Sequence, residues 1–199
     1  MKTQNIKNNK EKGFTLVETM FAVFILTFAV ASLMNVVANS LFSAKYSRDE
    51  ITANYLAQEI VDHIRNDRDT TVFFQDSEAS GDAWNLFIAK YSDCDREENN
   101  GCFINARDKG SIPQTCSADN WETDVEKGRG CVLYYYDNAP DGVFYSHTTG
   151  EAVSNFKRVI VVERNADPNQ IDVEVGVSWI NGSVARTRTL HTSLLKWQP

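Results

Sequence analysis

GFTLVETMFAVFILTFAVASLM, residues 13–34, sets an apolar run behind a glycine and admits one acid, Glu18. Eleven of positions 14–34 are Phe, Leu, Ile or Val. At about 1.5 Å per residue, a 21-residue helix reaches roughly 31 Å, which matches a bilayer core of about 30 Å. Each of those apolar side chains contributes roughly −0.3 to −0.6 kcal/mol near the bilayer centre, enough together to outweigh one acid costing about 2.5 to 3.5 kcal/mol. The segment therefore predicts one membrane span in which Glu18 is tolerated at a cost.

The flanks orient it. Residues 1–13, MKTQNIKNNKEKG, carry Lys2, Lys7, Lys10 and Lys12 against Glu11 alone. The positive-inside rule keeps this leader in the cytoplasm and sends residues beyond about 40 across the membrane. The whole 199-residue chain has a formal charge of −7, with 42% apolar and 24% charged residues. Those figures fit one globular domain with a terminal extension and exclude collagen-like, low-complexity and multi-span chains. An acidic exterior also lacks the cationic footprint that nucleic acid requires, so no direct nucleic-acid binding is expected.

Three fates fit such an N-terminus: an uncleaved anchor, a secretory signal, or a leader cut on the cytoplasmic side. Ala29 and Ala31 form a small-x-small site for the secretory reading, with cleavage near Ala31. Against it, Leu33, Met34, Val36 and Val37 continue the apolar run, and Glu18 lies inside what would be a purely apolar core.

Gly13-Phe14-Thr15-Leu16-Val17-Glu18, behind a basic leader and ahead of an apolar helix, resembles the prepilin peptidase signature of type IV pilins and type II secretion pseudopilins. The resemblance implies cleavage after Gly13, N-methylation of Phe14 as the new terminus, and a role for Glu18 in assembly. The physics is compatible: an acid in hydrocarbon is expensive unless paired, and the amine of a neighbouring subunit's Phe14 is the natural partner. Asn54-Tyr55-Leu56-Ala57-Gln58-Glu59-Ile60 and the late strand Val173, Val175, Val177, Trp179 resemble the V-type minor pilins and I-type minor pseudopilins. The family's major pilins carry a helix-bending proline where this chain has Asn35, and that departure points to a minor subunit. The likeness covers the N-terminal third and the C-terminal quarter; residues of about 67–150 resemble no family.

The resemblance implies an α+β pilin-like fold, a long N-terminal helix packed on an antiparallel sheet. The expected organisation is a leader at 1–13, a membrane and assembly half-helix at 14–38, and an extracytoplasmic head at 39–199. No Gly or Pro occurs from Phe14 through Ser80, so nothing breaks a helix that runs to about Asn66. Ala53, Leu56, Ala57, Ile60 and Ile64 fall on one helical stripe that should meet the sheet. A second helix is expected at Trp84, Phe87, Ile88 and Tyr91 behind an Asp82 cap, where the polar stretch after Asp67 ends. Strands are expected at 131–136, 143–146, 156–163, 171–180 and 183–195, separated by Pro140-Asp141-Gly142, Thr149-Gly150, Asp167-Pro168-Asn169 and Asn181-Gly182. The last pair reads as a type I′ turn. Ile171, Val173, Val175, Val177 and Trp179 alternate with polar residues, one face buried. A strict two-residue hairpin would put Arg186 and Arg188 on that face, so a one-residue slip or bulge is expected to move them beside Gly176 and Glu174.

Cys94, Cys102, Cys116 and Cys131 lie on the translocated side and read as disulfides. Of three connectivities, Cys94–Cys102 with Cys116–Cys131 is favoured because it clips the loops locally. Separations of 8, 14 and 15 residues offer no close CxxC pair for zinc. Asp93, Asp95, Glu97 and Glu98 offer hard oxygen ligands, yet without EF-hand spacing they read as a solvated loop, and no metal is expected. His63, His147 and His191 belong to no zinc-hydrolase pair, nucleophile elbow or phosphate loop, and no catalytic residue or cofactor is expected. Tyr134-Tyr135-Tyr136 reads as cross-strand packing. Asn181-Gly182-Ser183 matches a glycosylation sequon but is accounted for by the turn.

The family resemblance implies a non-enzymatic filament subunit in the bacterial inner membrane, leader inside and head outside, and then in a pilus or pseudopilus. Its implied partners are other pilin or pseudopilin subunits, the prepilin peptidase, and the inner-membrane assembly platform with its ATPase. The rival readings are a single-span anchored binding module and a secreted soluble protein.

Overall fold

The computed structural model describes residues 13–74, 82–95, 101–107, 110–116, 131–137, 144–147 and 152–196. The leader up to Lys12, Glu97 and Glu98, and the turns expected at 140–142 and 149–150 lie outside the described residues. Helix α1 runs Leu16–Phe74 without interruption. The chain divides into two units, Met1–Tyr46 and Ser47–Pro199.

In the first unit α1 passes straight through Asn35, whose Nδ2 donates to Ala31 O at 3.2 Å. With no proline there, the backbone ladder has no missing donor.

In the second unit α1 continues eight residues beyond the expected end at Asn66, because the polar stretch after Asp67 still contains no glycine or proline. Asp67 holds this last part: both carboxylate oxygens accept from Lys90 Nζ at 2.8 Å, and Oδ2 accepts from Tyr91 Oη at 2.9 Å. Helix α2, Ala83–Lys90, is capped by Asp82, which accepts from the Trp84 amide at 3.1 Å. Its buried Trp84 and Phe87 continue into Tyr91 through ring contacts of 5.6 and 5.2 Å.

The strands are β1 Cys102–Phe103, β2 Gln114–Thr115, β3 Val132–Tyr136, β4 Phe144–Ser146, β5 Ala152–Arg164, β6 Gln170–Asn181 and β7 Val184–Leu195. Among the described residues they form one seven-stranded sheet. Every pairing is antiparallel. The central β5 takes β6 on one edge and shares the other between β3 and β1, with β4 outside β3, β2 outside β1, and β7 outside β6. Phe156, Arg158, Ile160 and Val162 of β5 stand opposite Trp179, Val177, Val175 and Val173 of β6. The α1 stripe Ala53, Leu56, Ala57, Ile60 and Ile64 is buried over this face, joined by Val61.

Two expectations are corrected. The β6–β7 hairpin has no slip: Asn181 pairs Val184, Val177 pairs Arg188 and Trp179 pairs Arg186. Both arginines stay on the helix-facing side, and on this outer strand Arg188 reaches the α1 flank. Arg188 Nε donates to Asn54 Oδ1 at 3.3 Å, and its Nη1 lies 3.8 Å from Glu50 Oε1. The central turn residues are Gly182 and Ser183, with positive φ at Gly182 (65°) alone, the type II′ pattern instead of I′.

Candidate functional site: the N-terminal segment

Gly13, Phe14 and Thr15 precede the helix. A Cβ built on Gly13 would meet nothing within 4 Å, and Phe14 is 77% exposed, so the Gly13–Phe14 peptide is open to an enzyme. Thr15 starts the helix: its carbonyl accepts from the amides of Glu18 (3.1 Å) and Thr19 (3.2 Å), and its Oγ1 accepts from the Glu18 amide at 3.3 Å. Thr15-Leu16-Val17-Glu18 thus has the spacing of a capping box, and the acid sits in the first turn where the helix dipole favours it.

Beyond Glu18 no ionisable residue occurs until Lys45. Phe21, Phe24, Leu26, Phe28, Leu33 and Met34 are each more than 60% exposed within the chain, a surface for lipid or other helices. The polar side chains in this stretch bond back to their own helix. Thr19 donates to Leu16 O at 2.8 Å, Thr27 to Phe24 O at 2.9 Å, Ser32 to Ala29 O at 2.8 Å and Ser40 to Val36 O at 2.8 Å. Such internal satisfaction is what a hydrocarbon surrounding demands, since no water is there to accept those protons. α1 is long and apolar enough to cross a membrane.

The head residues singled out in the sequence do not converge. Cys94 is bonded to Cys102 and Cys116 to Cys131. Asp93 accepts from Ser92 at 3.4 Å, and among the described residues no group of three or more His, Cys, Asp or Glu is placed to hold a metal. Tyr135 meets Tyr145 edge-on at 5.5 Å and Tyr136 stacks on Phe144 at 4.5 Å, the cross-strand packing expected of the tyrosine run. His191 lies 3.6 Å from Glu174 on the opposite sheet face. Burial lowers the His63 pKa and drives that of His147 down to about 3, where the nearby Arg158 charge adds to the effect.

Sequence reasoning missed Arg158. It occupies an inward position of β5 and is 1% exposed. Nη1 donates to Leu56 O (3.1 Å) and Glu59 Oε2 (2.5 Å), and Nη2 to Ile104 O (3.5 Å). A cation between apolar residues on the Phe156, Ile160, Val162 face was the available signal.

The prokaryotic N-terminal methylation motif matches residues 8–34. No curated protein and no solved structure matches the chain. A long apolar-led helix packed on an antiparallel sheet with two disulfides defines an α+β, pilin-like architecture. The methylation motif is the signature of type IV pilin-like precursors, and it supports the pilin and pseudopilin family for this chain. It points to a structural protein, and with the apolar helix it fits a single-pass inner-membrane protein that forms a filament.

Proposed function

We propose that the chain is a minor structural subunit of a type IV pilus or a type II secretion-type pseudopilus, with a position at the tip or in priming the filament. The observation that carries this reading is Glu18, the one ionisable side chain between Phe14 and Ala44, directly behind an accessible Gly13–Phe14 bond. The prepilin peptidase cuts after Gly13 and methylates the amine of Phe14. Glu18 of one subunit then pairs with the terminal amine of another, setting axial register where an unpaired charge would be costly. The inner-membrane platform and its ATPase draw the subunit out of the bilayer, and the head performs no chemistry of its own. The departure from proline at Asn35 and the disulfide-bearing head favour a minor subunit over a shaft subunit.

The test is the mass and N-terminus of the mature chain in membranes of the native cell, with and without its prepilin peptidase. The expected result is a peptidase-dependent start at N-methylated Phe14. An intact leader would make the chain an anchored module, and a start after Ala31 a secreted protein; either overturns the proposal.

A further inference from the structure

Between Glu18 and Lys45 lie 26 residues without an ionisable side chain. As a helix they measure about 39 Å, more than a bilayer core of about 30 Å, so several registers keep both charges out of hydrocarbon. A chain outside a filament has no neighbouring Phe14 amine for Glu18, and these registers are then the cheaper ones. Asn35 lies inside the core in all of them. It stands 17 residues, about 26 Å, beyond Glu18 and 10 residues, about 15 Å, before Lys45.

Its side chain differs from the hydroxyls that precede it. Thr27 and Ser32 each have one proton to donate, and each gives it to a carbonyl of its own helix. The Asn35 carboxamide gives one N–H to Ala31 O at 3.2 Å, which leaves a second N–H and Oδ1 without a partner among the described residues. A lipid chain offers neither donor nor acceptor. Another helix does, and asparagine is one of the side chains through which membrane helices bond to each other.

The surface around Asn35 admits such a helix. At about 100° per residue, Ala31 and Ala38 fall within roughly 60° of Asn35 on one side, and Ser32 and Asn39 within roughly 60° on the other. All are exposed within the chain. Phe28 and Phe42, 73% and 69% exposed, bound this window of short side chains two turns to either end, with the amide at its centre. Small residues let two backbones approach closely, which an interhelical amide bond requires. Glu18 projects about 100° away from Asn35, so the window and the acid belong to different faces of the helix.

A second copy of this chain is the occupant that the window fits. The lysine-rich leader gives every copy the same orientation, so copies in one membrane lie parallel and bring the same residue to the same depth. About a two-fold axis along the membrane normal, Asn35 meets its own equivalent. A carboxamide is complementary to itself: each Oδ1 accepts the other's remaining N–H, and both amides are then satisfied.

We infer that the membrane-inserted chain self-associates as a parallel pair through Asn35, with Ala31 and Ala38 at the contact. The inference rests on the reading of residues 14–38 as a membrane span.

The full chain in phosphatidylethanolamine–phosphatidylglycerol vesicles provides the test. The four cysteines are paired, so Ala166→Cys, at an exposed turn of the head, takes a fluorophore alone. Energy transfer between donor- and acceptor-labelled copies, followed as lipid dilutes the protein, gives the association constant. Asn35→Val should lower it about tenfold, and Asn35→Gln, which restores the amide, should recover most of it. Under a copper–phenanthroline oxidant, Ala31→Cys or Ala38→Cys should cross-link. Leu26→Cys and Leu33→Cys, on the opposite side of the helix, should not. A chain that stays monomeric while a nitroxide at Ile25 lies in hydrocarbon overturns the pair alone. An Ile25 nitroxide open to water overturns the span and the pair with it. Association that Asn35→Val leaves unchanged, or cross-linking that favours Leu26 and Leu33, would mean that another surface carries the contact, which also overturns the pair.

Discussion

Arg158 and Glu59 are 99 residues apart in sequence, and the guanidinium of the first donates to the carboxylate of the second at 2.5 Å across the helix–sheet boundary. The two ends of the pair differ: the arginine side chain is 1% exposed and the glutamate 39%. Burial lowers the arginine pKa, Glu59 opposes that effect, and the carbonyls of Leu56 and Ile104 take part of the charge.

Removing one partner therefore costs more from one side than from the other. Glu59→Ala strands a buried cation and should destabilise the head by about 3 kcal/mol. Arg158→Met leaves a carboxylate that can turn to water and fills the site with apolar volume, so its cost should be about 1 kcal/mol. Urea unfolding of the two variants checks the order; equal costs would mean the ion pair contributes no asymmetry.

Position 158 also marks how far the sequence could be read. The α1 stripe and the β6 alternation were legible because burial on one face repeats at 3.6 and 2 residues respectively, and Ala53 to Ile64 and Ile171 to Trp179 follow those periods. Gly13 to Glu18 was legible because its chemistry is local. β1 and β2 are two residues each, too short for any period, and are defined by partners such as Ile160 far along the chain. Arg158 broke its alternation because its partners come from α1 and the segment after β1, and a pairing of that range leaves no local trace. The register of β7 was misjudged because the flank of α1 supplies Glu50 and Asn54 to Arg188, a cation assumed to need the other face of the sheet.

The next consequence concerns pH. His147 Nδ1 lies 3.2 Å from Val132 O, Nε2 is buried without a hydrogen-bond partner among the described residues, and burial first, then Arg158, drives the pKa to about 3. Unfolded histidine takes its proton near the ordinary value, so stability is complete above about pH 6.5 and falls as pH drops toward 3, with a slope of up to about 1.4 kcal/mol per unit. His63, also lowered, contributes with the same sign. Denaturation midpoints at pH 7 and pH 5 should differ for the wild type and much less for His147→Gln; an unchanged slope in the variant would refute the assignment.

The two disulfides should not be equivalent toward reductant. Cys94 and Cys102 are both fully buried, whereas Cys116 is only partly so. Mild dithiothreitol followed by alkylation and peptide mass mapping should find Cys116 and Cys131 modified first. Replacing either pair with alanines opens a loop of 8 or 15 residues and should cost about 2 to 3 kcal/mol by chain entropy. The buried pair should exceed that figure through the cavity it leaves.

Gly101 offers the sharpest local test of how β1 is seated. Its φ is 83°, its amide donates to Asp95 O at 3.0 Å, and its carbonyl accepts from the Cys116 amide at 3.2 Å. A Cβ there would lie 2.6 Å from Val159 Cγ1 and 2.7 Å from the backbone oxygen of Ile160. The valine methyl can move aside, but the carbonyl belongs to the central strand, so Gly101→Ala meets both the left-handed penalty and a backbone clash. The expected cost is about 2 to 4 kcal/mol. Gly110 has a similar φ of 80° with nothing within 4 Å, and Gly110→Ala should cost only about 1 kcal/mol. Thermal or urea unfolding of the two variants separates the terms: equal losses would mean that Gly101 is required for its backbone conformation alone and that β5 yields to accommodate the methyl group.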